Sequence, residues 1–185
     1  MRLLYVGYGA SIDAYSVDIG MFRLTIHLLN LPNNMISQDS HNIGMGGFGT
    51  ITTKKLGVKE FVAKVCYLSG GSTTLEDMII EVAFSKLCAA FQIGPDVETS
   101  IPFDLIVYDN AVQFHLERCS PINRRLNDLP YFESDLKDNL RILHSLHIAH
   151  KDIKPTNILY CMRLDQFVLC DFGCSEYVRE AIGEV

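Results

Sequence analysis

The residues best suited to chemistry crowd into one stretch, His150-Lys-Asp-Ile-Lys-Pro-Thr-Asn157, with Asp171-Phe-Gly173 following it. Asp152 is an acid that can receive the proton of an attacking hydroxyl. Lys154, two residues on, can neutralise charge on a phosphoryl group in transfer. Asn157 and Asp171 offer an amide and a carboxylate oxygen, the hard ligands that Mg²⁺ selects. A polar turn without chemistry explains any one of these residues, but poorly explains the ordered set. Upstream, Ile43-Gly-Met-Gly-Gly-Phe-Gly49 is a glycine cluster. Glycines let backbone N–H groups approach phosphate oxygens that a Cβ would hold away. Alone this signal is weak, because a dinucleotide fold would place a helix directly after it. Here the β-prone Ile51-Thr-Thr53 follows, which points to a hairpin lid. Lys64 lies within the apolar run Glu60–Leu68, where an ammonium needs a partner. Glu81 sits among Met78, Ile79, Ile80, Val82 and Ala83 and needs a cation for the same reason. Glu76 competes for that role, but its place suits stabilisation of a helix N-terminus.

The elements that must position these groups follow from local pattern. Glu60–Leu68 reads as a buried strand, entered by a turn at Leu56-Gly-Val-Lys59. The period then changes, and Thr74–Ala90 reads as a helix with Thr73 or Thr74 as N-cap. Phe103–Tyr108 and Ala111–Leu116 read as strands joined across Asp109-Asn110. Ser134–His147 places Leu136, Leu140, Leu143 and Leu146 on one face of a second helix, with Ser134 as N-cap. Ile158–Cys161 and Gln166–Cys170 form a last hairpin. A strand-rich first half followed by helix and hairpin predicts an α+β, two-lobed arrangement with a cleft. Before the turn-forming stretch 31–40 lies an apolar segment with a candidate helix over about 14–30.

This constellation resembles the eukaryotic protein kinase family of the serine/threonine type. GMGGFGTI is similar to its glycine-rich loop, VAK to its third-strand lysine, HKDIKPTN to its catalytic loop and DFG to its metal motif. The resemblance covers about residues 41–177 and implies ATP and Mg²⁺ as cofactors and a protein Ser/Thr hydroxyl as acceptor. By resemblance Gly44, Gly46 and Gly49 cover the phosphates, with Phe48 at the lid tip. Lys64 holds the α/β-phosphates and pairs with Glu81. Ile43, Ile51 and Ala63 roof the adenine, and Leu159 floors it. Leu116 is the gatekeeper, and backbone groups of Glu117 and Cys119 bind adenine. Asp152 is the catalytic base, Lys154 the phosphate-side cation, and Asn157 and Asp171 hold Mg²⁺. The implied organisation is an unassigned segment 1–40, a small lobe 41–119 and a partial large lobe 120–185.

The sequence also departs from the family. Lys151 replaces an arginine before the base, and Ser85 stands where a larger apolar side chain is usual. Twelve residues follow Gly173, without an Ala-Pro-Glu element. The alternative expectation is therefore a nucleotide-binding or regulatory module with little turnover, its incomplete face covered by a partner kinase. Ser16–Leu29 weakly resembles the family's central large-lobe helix, with Asp18 in place of the acid that braces the catalytic loop.

Composition narrows the classes further. The 185 residues carry a net charge of −6 and no basic block, so neither nucleic acid nor a membrane is an expected partner. Six cysteines without a C-x-x-C spacing argue against structural zinc and for reduced thiols in a cytoplasmic protein.

Overall fold

The computed structural model describes residues 1–7, 11–32, 41–46, 49–57, 59–68, 73–97, 102–122 and 129–179. The architecture is α+β, as the sequence pattern predicts. Eight strands form one sheet: β1 (Arg2–Tyr5), β2 (Ile12–Ile19), β3 (Phe22–Asn30), β4 (His41–Gly46), β5 (Gly49–Leu56), β6 (Lys59–Tyr67), β7 (Leu105–Val107) and β8 (Ala111–Glu117). Their spatial order is β1-β2-β3-β7-β8-β6-β5-β4. Every pairing is antiparallel except β3 with β7.

Helix α1 (Leu75–Ala90) lies against this sheet, closed at its start by a capping box between Thr74 and Asp77. Its buried residues occupy almost the whole circumference, because it is covered from more than one side. Val17, Ile19, Ile26 and Leu28 of the β2–β3 hairpin share one core with Met78, Ile79, Val82 and Phe84 of the helix, and with Phe114 of β8 and Phe172. Burying each such side chain stabilises by about 1.5–3 kcal/mol.

The candidate helix over 14–30 is thus two strands. Phe22, Leu24, Ile26 and Leu28 face inward while Arg23, Thr25 and His27 face out, which is the period of a strand. Gly20 and Met21 form the two-residue turn, with Gly20 at φ +59°. Asp18 accepts two hydrogen bonds from Arg23 across that turn, at 2.7 and 3.1 Å, and not from the 150–152 backbone. Gly20 itself reaches further. A Cβ there would stand 2.7 Å from the Tyr177 ring, so the hairpin tip packs against β13 (Glu176–Tyr177). Phe22 meets Phe91 edge to face, and Lys86 of α1 bonds Asp104 at 2.7 Å and the Thr25 carbonyl at 3.3 Å.

The second half holds β9 (Ser120–Pro121), α2 (Leu129–Ser145), β10 (Ile148–Ala149), β11 (Ile158–Cys161) and β12 (Gln166–Leu169). Strands β12, β11 and β9 form one small sheet, and β10 pairs with β13. Helix α2 starts five residues before Ser134, the expected N-cap. Pro130 falls in its first turn, where the missing N–H has no intrahelical partner to lose. Ser134 is inside the helix and donates to the Tyr131 carbonyl at 2.9 Å. One turn of α2 grips β12: Asp135 accepts from the Phe167 N–H at 2.9 Å, and Asn139 donates to the Phe167 carbonyl at 2.6 Å. No helix among the described residues is long and apolar enough to cross a membrane.

Candidate active site

Lys64 occupies β6, an interior strand, opposite Ile51 of β5 and Phe114 of β8. Its Nζ donates to Glu81 Oε1 at 2.5 Å and to Asp171 Oδ1 at 2.6 Å. The Lys64 and Glu81 side chains are 9% and 5% exposed, and Asp171 is 31% exposed. Burial pulls the Lys64 pKa down, but the Glu81 and Asp171 carboxylates outweigh it and hold the ammonium above the ordinary lysine range. Glu76, the competing acid, is exposed in the first turn of α1. Ser85 is buried and donates its hydroxyl to the Glu81 carbonyl at 2.9 Å, which satisfies the polar atom that stands there in place of a larger apolar side chain.

The stretch around Asp152 is organised by backbone contacts to the strand that delivers Asp171. The Cys170 N–H donates to the Asn157 carbonyl at 2.9 Å, and the Cys170 carbonyl accepts from His150 Nε2 at 3.0 Å. His150 Nδ1 in turn accepts the Asp152 N–H at 3.4 Å. With the proton on Nε2, one neutral imidazole satisfies both contacts, and burial holds its pKa below the ordinary histidine value. The sequence pattern assigns His150 no role, although its place two residues before Asp152 is the signal that marks it.

Asp152 accepts from Lys154 Nζ at 2.7 Å and from Asn157 Nδ2 at 2.8 Å, and these partners hold its carboxyl below the usual range. Asn157 Nδ2 also donates to the Asp152 carbonyl at 3.0 Å. With its amide nitrogen committed this way, the oxygen is the atom Asn157 can present to a metal. Asp171 sits at φ +63°, a left-handed conformation that costs about 1–3 kcal/mol and persists only under constraint. The constraint is visible on both sides: Cys170 is tied to His150 and Asn157, and Phe172 is buried against His150 and the core.

The remaining expected residues fall in two groups. Gly44 pairs with Ile51 and Gly46 with Gly49 in the β4–β5 hairpin, next to Ala63 on β6. A Cβ on Gly49 would stand 2.2 Å from the Val65 carbonyl oxygen, so no other residue fits there. Ile43 is 53% exposed, Ile51 is half-buried and Ala63 is buried. Phe48 lies outside the described residues. Leu116 and Glu117 end β8, Cys119 precedes β9, and β9 pairs Leu159 of β11 with Pro121. The Glu117 N–H donates to the Asp96 carbonyl at 2.7 Å, so what Glu117 offers a ligand is its carbonyl. Its carboxylate is held by the Arg163 guanidinium at 3.1–3.2 Å, a contact between residues too distant in sequence to be read from spacing.

The arrangement offers a buried cation on an interior strand of the sheet, bonded to the partly exposed Asp171, and beside β11 a second carboxylate, an amide oxygen and a second cation. Asp171, Asn157 and Asp152 supply oxygens of the kind Mg²⁺ takes, and the donor set therefore fits that ion.

No family profile matches the chain. Individual curated proteins do. The chain is 36% identical over 103 residues to a non-specific serine/threonine protein kinase of Drosophila melanogaster, covering 51% of this chain and 15% of that protein. It is 26% identical over 150 residues to a sporulation-specific mitogen-activated protein kinase of Saccharomyces cerevisiae, covering 74% and 38%. It is 30% identical over 146 residues to a mitogen-activated protein kinase kinase of Aspergillus fumigatus, covering 72% and 29%. The matches span between about one seventh and two fifths of those relatives' own lengths.

Proposed function

Because the chain is a relative of the serine/threonine protein kinases, we propose that it binds ATP with Mg²⁺ between the eight-stranded sheet and the β11–β12 hairpin, and transfers the γ-phosphoryl group to a serine or threonine hydroxyl of a protein. The observation that carries this reading is the double contact of Lys64 Nζ to Glu81 and Asp171. A buried ammonium anchored by one helix carboxylate and reaching a second, partly exposed acid is placed for triphosphate oxygens.

The chain's own residues divide the work. Glu81 fixes the Lys64 head group, which lowers the entropy lost when phosphates arrive. The β4–β5 hairpin, with Gly44, Gly46 and Gly49, lays backbone N–H groups over the phosphates. Leu116, Ala63, Ile51 and Leu159 enclose the apolar base, and the Glu117 carbonyl and the Cys119 backbone read its edge. Asp152 accepts the proton of the incoming hydroxyl, and Lys154, bonded to it at 2.7 Å, offsets charge on the transferring group. Asn157 and Asp171 would hold Mg²⁺, which neutralises developing phosphate charge when bound.

The test is a radiolabelled phosphoryl-transfer assay on a generic basic protein substrate, run beside nucleotide-induced thermal shift, for the wild type and Asp152→Asn. Transfer in the wild type with loss of at least about 100-fold in the variant, while the thermal shift persists, is the expected result. Nucleotide-induced stabilisation without transfer in either protein would replace this reading with a binding module.

A further inference from the structure

Six free cysteines are distributed through the chain, and two of them meet. Strand β9 pairs antiparallel with β11 in the register Leu159↔Pro121 and Tyr160↔Ser120. One step further along the same register, Cys161 stands opposite Cys119. Opposed residues of an antiparallel pair have Cα atoms about 4.5–5.5 Å apart, inside the range of about 4.4–6.8 Å that a disulfide spans. Both sulfur atoms and a Glu117 carboxylate oxygen lie within 4.8 Å of one another. The Cys161 thiol is buried, while Cys119 is half-exposed. We propose that Cys119 and Cys161 form a reversible redox pair that closes into an intrachain disulfide on exposure to hydrogen peroxide.

The same three groups could in principle hold a soft metal ion, but their surroundings favour the sulfur–sulfur bond. Glu117 is occupied: Arg163 donates to both its oxygens, the Asp96 N–H donates to one at 3.3 Å, and Cys161 Sγ lies 3.5 Å from the same oxygen. A guanidinium at that position also repels a cation. The two thiols share one proton: the hydrogen bond to Cys161, with burial behind it, pushes the Cys119 thiol up and keeps the proton there, so Cys161 is the thiolate of the pair. Hydrogen bonds from Cys119 and from the Leu164 N–H hold the Cys161 thiol below its ordinary range, at about 7, against the effect of burial.

The reaction balances with hydrogen peroxide as the oxidant. The Cys119 sulfur attacks one peroxide oxygen while its proton passes to the Cys161 thiolate. The O–O bond breaks, giving a Cys119 sulfenic acid and hydroxide. Hydroxide removes the proton from Cys161 and becomes water. The Cys161 thiolate then attacks the Cys119 sulfur, and the S–O bond breaks with hydroxide leaving. Two electrons pass from the two sulfurs to the peroxide. Dithiothreitol reverses the bond by exchange.

Non-reducing tryptic mass spectrometry of the whole chain decides the matter, because it is blind to nucleotide binding. After substoichiometric peroxide, the peptide 119–124 should appear linked to the peptide 152–163 as the dominant product. The link should vanish with dithiothreitol and be absent from Cys119→Ser and from Cys161→Ser. Closing a loop of 42 residues should also raise the melting midpoint by about 5 °C or more. Cys174, which is exposed, serves as internal reference. Modification of Cys174 alone, with Cys119 and Cys161 still alkylated separately, overturns the proposal. So does protection of both thiols by stoichiometric Zn²⁺ without any peroxide-induced link, which would make the cluster a metal site. Nucleotide affinity of the oxidised protein bears on the kinase reading, not on the disulfide.

Discussion

Replacing Lys64 by methionine removes one cation from between two acids, and the structure sets the size of the effect. Glu81 is 5% exposed and accepts a hydrogen bond from the Lys64 ammonium at 2.5 Å. Removing one member of a buried ion pair strands the other, which destabilises by about 3–5 kcal/mol. In a chain of this length, each kcal/mol moves the melting midpoint by about 2–4 °C, so Lys64→Met should fall by about 6–20 °C. Glu81→Leu should be milder, about 2–3 kcal/mol, because Lys64 keeps the partly exposed Asp171 as its partner. The double variant Lys64→Met/Glu81→Leu leaves an apolar contact and a partly solvated Asp171. It should lie within about 2 kcal/mol of the wild type. The two substitutions therefore couple by at least about 2 kcal/mol. Urea unfolding at pH 7 without nucleotide measures all four proteins, provided the m-value stays constant. Additive effects, or a Lys64→Met variant as stable as the wild type, would refute the buried-pair reasoning.

Other consequences follow from single contacts. Gly20→Ala puts a Cβ into the Tyr177 ring at a left-handed position, and should cost about 1–3 kcal/mol in chemical denaturation, whereas a neutral result would detach the hairpin tip from β13. His150 is neutral in the fold because its pKa is lowered by burial, so the unfolded chain binds more protons just below the ordinary histidine value of 6.5. Stability from this group is complete above that value and declines as pH falls below it. His150→Gln should flatten that part of the stability–pH curve, read by denaturation at several pH values. Asn139→Ala leaves the Phe167 carbonyl without its donor, and should cost about 1–3 kcal/mol while leaving α2 helical by circular dichroism.

The polar cluster at 152–157 is legible because its contacts are local: Lys154 and Asn157 fall within six residues of Asp152 and both donate to it. The Lys64–Glu81 pair was legible for a different reason, since two charges in apolar company must find each other. Helix α1 and its Thr74 cap were readable from period and cap chemistry. The N-terminal hairpin was misread. The apolar-polar alternation runs through both Tyr15–Ile19 and Phe22–Leu28 and marks two strands, but a likeness to a distant helix outweighs that local pattern in the sequence. The start of α2 was placed at the best N-cap side chain, although Pro130 marks an earlier first turn. Contacts set only by tertiary packing left no local trace. Arg163 with Glu117, and Cys119 opposite Cys161, depend on how β9 and β11 align.

The central claim is that Lys64, Asp171 and Asn157 face one bound nucleotide and its magnesium. Calorimetric titration of ADP with and without Mg²⁺ tests it on the wild type and on Asp171→Asn, which removes a partly exposed charge. The account predicts one saturable site with a Kd between about 1 μM and 1 mM, weakened at least about tenfold when Mg²⁺ is omitted or Asp171 is replaced. Absence of saturable binding by the folded wild type, or an Asp171→Asn isotherm matching the wild type with and without Mg²⁺, would contradict it.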